Sequence, residues 1–147
     1  LIEYPEWQHE MDRYQGVCNA LYGAFSEWGM PTYAYIENYA YAGSGVVFNI
    51  AECTMAMKMK LYGENIPLGK IEPSVVKKFA TGKGNAQKRA MYEQFKLEQF
   101  DLYAALGLVD TGSDKIPSPI SDMVDSYFVL KCGLANSATK TTDNLKT

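Results

Sequence analysis

Apolar residues recur at spacings of four, three, four, three, four and three from Trp7 through Met11, Tyr14, Cys18, Leu21 and Phe25 to Trp28. That spacing is one face of an α-helix, which Gly29 and Pro31 stop. The run Tyr33-Ala34-Tyr35-Ile36-Glu37-Asn38-Tyr39 is short and aromatic, lies between Pro31 and Gly43-Ser44-Gly45, and reads as a strand entering a loop. Over residues 46–62 a second helix carries Val46, Ile50, Thr54, Met57 and Leu61 on one face and Phe48, Met55, Met59 and Tyr62 on another. Two apolar faces imply burial on two sides. Residues 66–71 read as a strand, and Pro73 opens a short helix over 74–79. Gly82-Lys83-Gly84 breaks that helix, and Asn85 is placed to cap the next, which runs through Met91 and Phe95 to Phe100. A loop rich in Gly, Asp, Ser and Pro over 107–119 leads to a last helix that starts at Ile120 and ends by Gly133. Residues 136–147 are polar, lack an apolar stripe and are expected to be a disordered tail.

Helices alternating with strands indicate an α/β domain. The 147 residues, 47% hydrophobic and 21% charged, fit one compact domain over 1–135 followed by that tail. No apolar run approaches the roughly 20 residues that span a bilayer, and the first residues lack a basic stretch followed by an apolar core, so a cytoplasmic location is expected. Cys18, Cys53 and Cys132 are odd in number and far apart, which argues against a disulfide framework or a structural zinc site. They are expected to be reduced and buried.

The net charge of −3 conceals an asymmetry. Lys58, Lys60, Lys70, Lys77, Lys78, Lys83, Lys88 and Arg89 are opposed over residues 58–89 only by Glu64 and Glu72, a local +6 against −9 elsewhere. Such a segment is either a solvated helix face or the footprint of an anionic partner.

Three carboxylates are candidates for chemistry. Glu37 sits in an apolar run, where an unpaired charge is costly to bury. Asp122 and Asp125 are three apart on a helix and so share a face, where two like charges either splay into water or are neutralised by a cation. Hard oxygen donors suit Mg²⁺, which takes one or two carboxylates and completes its shell with water and phosphate.

The run Val76-Lys77-Lys78-Phe79-Ala80-Thr81-Gly82-Lys83-Gly84-Asn85-Ala86-Gln87-Lys88, preceded by Tyr35-Ile36-Glu37-Asn38-Tyr39 and followed by Asp122-x-x-Asp125, resembles the RuvC family of Holliday junction resolvases. It is similar in particular to that family's phage-encoded branch, which would act in the host cytoplasm. The resemblance spans residues 33–131, and the order and spacing of the motifs carry it rather than any one alone. It implies an RNase H-like mixed sheet flanked by helices, a homodimer, and cleavage of four-way DNA junctions with Mg²⁺ or Mn²⁺, two ions per site.

Carried over by residue, Glu37, Asp122 and Asp125 match metal-binding carboxylates, and Lys77 and Lys88 match two active-region lysines. Tyr39 and Tyr41 bracket the place where the family has an aromatic residue beside the opened junction. The family begins with a strand bearing its first catalytic aspartate, whereas Asp12 here lies inside the first helix, so a preceding hairpin of strands is expected to be missing from this sequence. Lys77 and Lys88 would neutralise charge on the scissile phosphate, while Lys83 and the amides of Gly82 and Gly84 would grip a neighbouring one. Lys58, Lys78 and Arg89 would add phosphate contacts, and Phe48, Met55, Met59 and Tyr62 would form the dimer interface. Two other readings remain open: a catalytically inactive binder of branched DNA, and an RNase H-like nuclease for RNA–DNA hybrids or branched replication intermediates.

Overall fold

Helix α1 (Glu10–Trp28) begins where His9, in extended backbone, accepts a hydrogen bond from the Met11 amide while Asp12 reaches back to the His9 amide. This capping box was not evident from the periodicity, which places His9 on the helix itself. The computed structural model describes the backbone of residues 6–38 and 46–144, and side chains within 6–38 and 49–137. Strand β1 (Ala34–Glu37), α2 (Val46–Gly63), β2 (Leu68–Ile71), α3 (Pro73–Thr81), α4 (Lys88–Glu98), α5 (Leu102–Ala105) and α6 (Ile120–Asn144) follow. The chain divides into two compact units, residues 1–34 with 39–69 and residues 35–38 with 70–147.

In the first unit α1 packs on α2. Tyr14 donates to Glu52 at 2.6 Å and Tyr22 to Glu64 at 2.8 Å, so the two helices advance together. The Glu52 carboxylate holds the Tyr14 hydroxyl up at about 12. Tyr14, Cys18, Thr54, Leu61 and Ile66 are buried, whereas Trp7, Met11 and Trp28 at the ends of the α1 stripe are exposed. Lys60 lies over the Tyr22 ring at 5.2 Å.

The strands pair in a two-stranded sheet. The Ala34 amide donates to Pro67 and the Asn38 amide to Ile71, each four residues further on, so the strands run parallel. A parallel pair needs a crossover, and α2 is that connection in sequence. The register sets Glu37 across from Ile71 on the face that also bears Tyr35.

The second unit holds the main core, in which Val76, Met91, Tyr92, Phe95, Leu102, Ile116, Ile120, Val124, Phe128 and Cys132 are buried together. Ile120, Val124, Phe128 and Cys132 recur every four residues and form the buried stripe of α6. Phe95 meets Tyr127 edge-on at 5.0 Å, and Tyr92 meets Tyr103 edge-on at 5.3 Å. All three cysteines are free; Cys18 and Cys132 are buried and Cys53 is half-buried.

The expected elements differ at several points. Gln87, not Asn85, stands at the N-terminus of α4, because Ala86 is buried and the Ala86 amide closes a turn on Lys83 at 3.2 Å before the helix begins. α5 was not foreseen; Asp101 caps it by accepting from the Ala104 amide. α6 does not end by Gly133 and carries helical backbone through the expected tail as far as Asn144.

Candidate functional site

Glu37 is the last residue of β1 and is exposed, while Asp125 on α6 is half-buried. Both lie in the second unit and both line an open groove of about 260 Å³ with Tyr35, Ile36, Ser126, Val129 and Leu130. A helix turns about 100° per residue. Asp125 therefore falls at the rim of the stripe that Val124 and Phe128 bury, and Asp122 lies about 60° further toward solvent.

Although Glu37 as a residue is exposed, neighbouring protein atoms partly desolvate its carboxyl and push it up, and the charge of Asp125 pushes it further; Lys77 and Lys88 pull it back. Burial likewise raises the Asp125 carboxyl, with Lys88 and Lys77 opposing and Asp122 reinforcing. Both carboxyls are thus disfavoured as anions, and the positive charges of Lys77 and Lys88 oppose that shift at each.

Each lysine is placed by its helix. Val76 and Ala80 bury one side of α3, which leaves Lys77 half-buried and Lys78 exposed. Lys88 is the first residue of α4. Between the helices, Gly82 adopts the left-handed conformation (φ 78°) and its amide returns to the Lys78 carbonyl. Thr81 donates to the Lys77 carbonyl at 2.9 Å and accepts from the Lys83 amide at 3.2 Å, which shapes the turn and leaves Lys83 exposed at its tip. At Gly84 a Cβ would come within 3.2 Å of the Ser74 carbonyl oxygen.

Two of the expected site residues have other duties. Asp122 accepts from Ser118 at 2.5 Å and from Ser121 at 3.3 Å in the first turn of α6, so its oxygens anchor the start of that helix. Among the described residues no three His, Cys, Asp or Glu side chains gather as a metal cage, and the expected trio of Glu37, Asp122 and Asp125 is not assembled as one. Arg89, expected to contact phosphate, is instead engaged within the protein. Its guanidinium forks onto both oxygens of Asp110 at 2.8 Å, donates twice to the Ser113 carbonyl, and reaches Glu93 at 3.2 Å. These bonds occupy all five of its donors and hold the Asp110 carboxyl down at about 2. Sequence charge alone does not distinguish an inward-facing arginine from a solvent-facing lysine.

Lys58 is half-buried on α2 in the first unit, where Met55, Met59 and Tyr62 are 56%, 69% and 84% exposed. The second apolar face of α2 is thus open over these three residues. Tyr39 and Tyr41, and the side chain of Phe48, lie outside the described residues.

The donor set of Glu37 and Asp125 suits one hard divalent cation, since Mg²⁺ characteristically takes one or two carboxylates with water and phosphate. A second ion would need donors beyond those gathered among the described residues. No described helix is long and apolar enough to cross a membrane.

No family model matches the sequence, and no curated protein matches it. Solved structures do. That of Thermus thermophilus RuvC superposes with a TM-score of 0.64 at 14% identity, covering 92% of this chain and 76% of that one. T. thermophilus RuvC in complex with Holliday junction substrate gives a TM-score of 0.60 at 15% identity, covering 87% and 72%. The chain has a RuvC-like, RNase H-like α/β fold.

Proposed function

We propose that this chain is a phage-type junction-resolving endonuclease that hydrolyses phosphodiesters of branched DNA with Mg²⁺ or Mn²⁺. The observation that carries the reading is that Glu37 and Asp125 line one groove, with the charges of Lys77 and Lys88 acting on both, on a RuvC-like scaffold. One solved relative of that fold was captured with Holliday junction substrate. Glu37 and Asp125 would hold the cation, which when bound supplies an activated water and charge stabilisation at the leaving oxygen. Lys77 and Lys88 balance the carboxylates and offer ammonium groups to a phosphate oxygen. Lys78 and Lys83, exposed on α3 and its terminal turn, extend this basic surface along the backbone of the DNA. Ser118 and Ser121 fix Asp122, whose charge raises the proton affinity of Asp125.

The open second face of α2 supports a homodimer in which that face is buried against its own copy. A two-fold axis would set two sites toward two strands of a symmetric junction.

Incubation of the protein with a synthetic four-way junction and Mg²⁺ tests the reading. Paired symmetric nicks are expected, and Glu37→Gln or Asp125→Asn should abolish them while junction binding persists. Either variant cutting at the unsubstituted rate overturns the assignment of that residue. Because no three potential ligands gather as a metal cage among the described residues, binding without cleavage by the unsubstituted protein would favour a catalytically silent junction-binding module.

A further inference from the structure

Glu72 joins the end of β2 to the start of α3. Its carbonyl accepts from the amides of Val75 at 2.9 Å and Val76 at 3.1 Å, which opens the helix bearing Lys77. A glutamate at this capping position is free to turn its carboxylate onto the helix amides, yet the Glu72 side chain makes no cap bond. Its Oε1 accepts instead from Nδ2 of Asn38 at 2.6 Å. Asn38 directly follows Glu37, and the Asn38 amide donates to the Ile71 carbonyl at 2.8 Å. One backbone bond and one charge-assisted side-chain bond therefore close the parallel ladder immediately beyond Glu37.

We propose that Glu72 is a positioning residue: its hydrogen bond to Asn38 holds Glu37 in register with Asp125 and Lys77. The need for such a latch follows from the site itself. Glu37 and Asp125 repel each other, and a carboxylate on the last residue of a strand relieves repulsion most easily by swinging outward with the strand end. The latch opposes that movement. Because Glu72 also begins α3, one residue ties the strand bearing Glu37 to the helix bearing Lys77. The proposal rests on the reading of Glu37 and Asp125 as an ion-binding pair.

Binding of Mn²⁺ to the DNA-free protein, followed by electron paramagnetic resonance of the free ion, separates the two ideas. The unsubstituted protein should bind Mn²⁺ and Glu37→Gln should lose that binding. Glu72→Ala and Asn38→Ala should each weaken it by about 10-fold, the range found when partners that orient ligating groups are removed. Glu72→Gln keeps an acceptor oxygen for Asn38 and should restore binding. The double alanine variant should be no weaker than either single, because both remove the same bond. Wild-type affinity in Glu72→Ala, or Glu72→Gln as weak as Glu72→Ala, overturns the latch while leaving the ion-binding pair standing. Equal binding by the unsubstituted protein and Glu37→Gln overturns the ion-binding reading and the latch with it. Asn38→Ala, which leaves α3 untouched, carries the test if Glu72→Ala does not fold.

Discussion

The ring of Tyr35 lies where a side chain at Gly133 would begin: a Cβ there would fall inside contact distance of three ring carbons. The Tyr35 hydroxyl continues along α6 to Ser137 at 2.5 Å. Gly133 is therefore a close-approach glycine, not a helix stop. Gly133→Ala should destabilise the fold by roughly 1–3 kcal/mol through overpacking. In a Tyr35→Ala background the same substitution should cost far less, and thermal melts of the four proteins in the cycle measure the difference. Additive losses would show that the ring is not the obstacle.

Asp125 binds its proton more tightly in the fold than in the unfolded chain, because burial raises its carboxyl. Folding then takes up protons across the window between the ordinary aspartate value and the raised one. Stability is lost as pH rises through that window, and the loss is complete above it. Asp125→Asn should consequently raise the melting temperature in EDTA near neutral pH by on the order of 2 °C. The gain should vanish below the ordinary aspartate range, which melts at a series of pH values would show. A variant less stable than the parent at neutral pH contradicts the sign.

Arg89 and Lys83 are neighbours in charge but not in role. Arg89→Lys cannot reproduce the fork onto Asp110 and should cost roughly 1.5–3 kcal/mol of stability. It should leave the salt dependence of DNA binding unchanged. Lys83→Ala should do the reverse, lowering the slope of log K against log salt by about one with little effect on melting. Binding isotherms at several salt concentrations, beside melts of both variants, separate them.

Met55→Glu combined with Met59→Glu places two charges on the exposed face of α2. A folded monomer that no longer makes paired cuts is expected, and sedimentation velocity reads the association state directly. A monomeric parent protein at micromolar concentration, or a double variant that stays dimeric, removes this face as the interface.

Periodicity located α1, α2 and α6 because apolar residues repeat over several turns of each, and the two β-rich runs were recognisable from their aromatic and β-branched residues between glycines and prolines. The four residues of α5 are too few to show a period, and only its capping aspartate marks it. The α6 end was misplaced because glycine usually reads as a terminator; nothing local in the chain shows Tyr35 resting against it. At the site, Glu37 was nameable from its apolar run and Asp125 from its spacing to Asp122, while Lys77 and Lys88 were named only through the resemblance; the charges of all four act on one another. Asp122 and Arg89 share those motifs but are turned to Ser118 and Asp110, partners that no linear pattern specifies. Glu72 was counted only as an opposing charge in a basic segment.

The pairing of β1 with α6 joins residues 102 positions apart, as the Tyr35–Ser137 bond shows. Contacts this distant in sequence close late, after the local helices have formed, because loop entropy must be overcome first. On that order, the repulsion between Glu37 and Asp125 is expected to act on the finished protein rather than on the folding barrier. Neutralising either carboxylate should slow unfolding and leave the folding rate nearly unchanged. A bound cation at the same place would act as a kinetic lock, lengthening the lifetime of the native state without hastening its arrival.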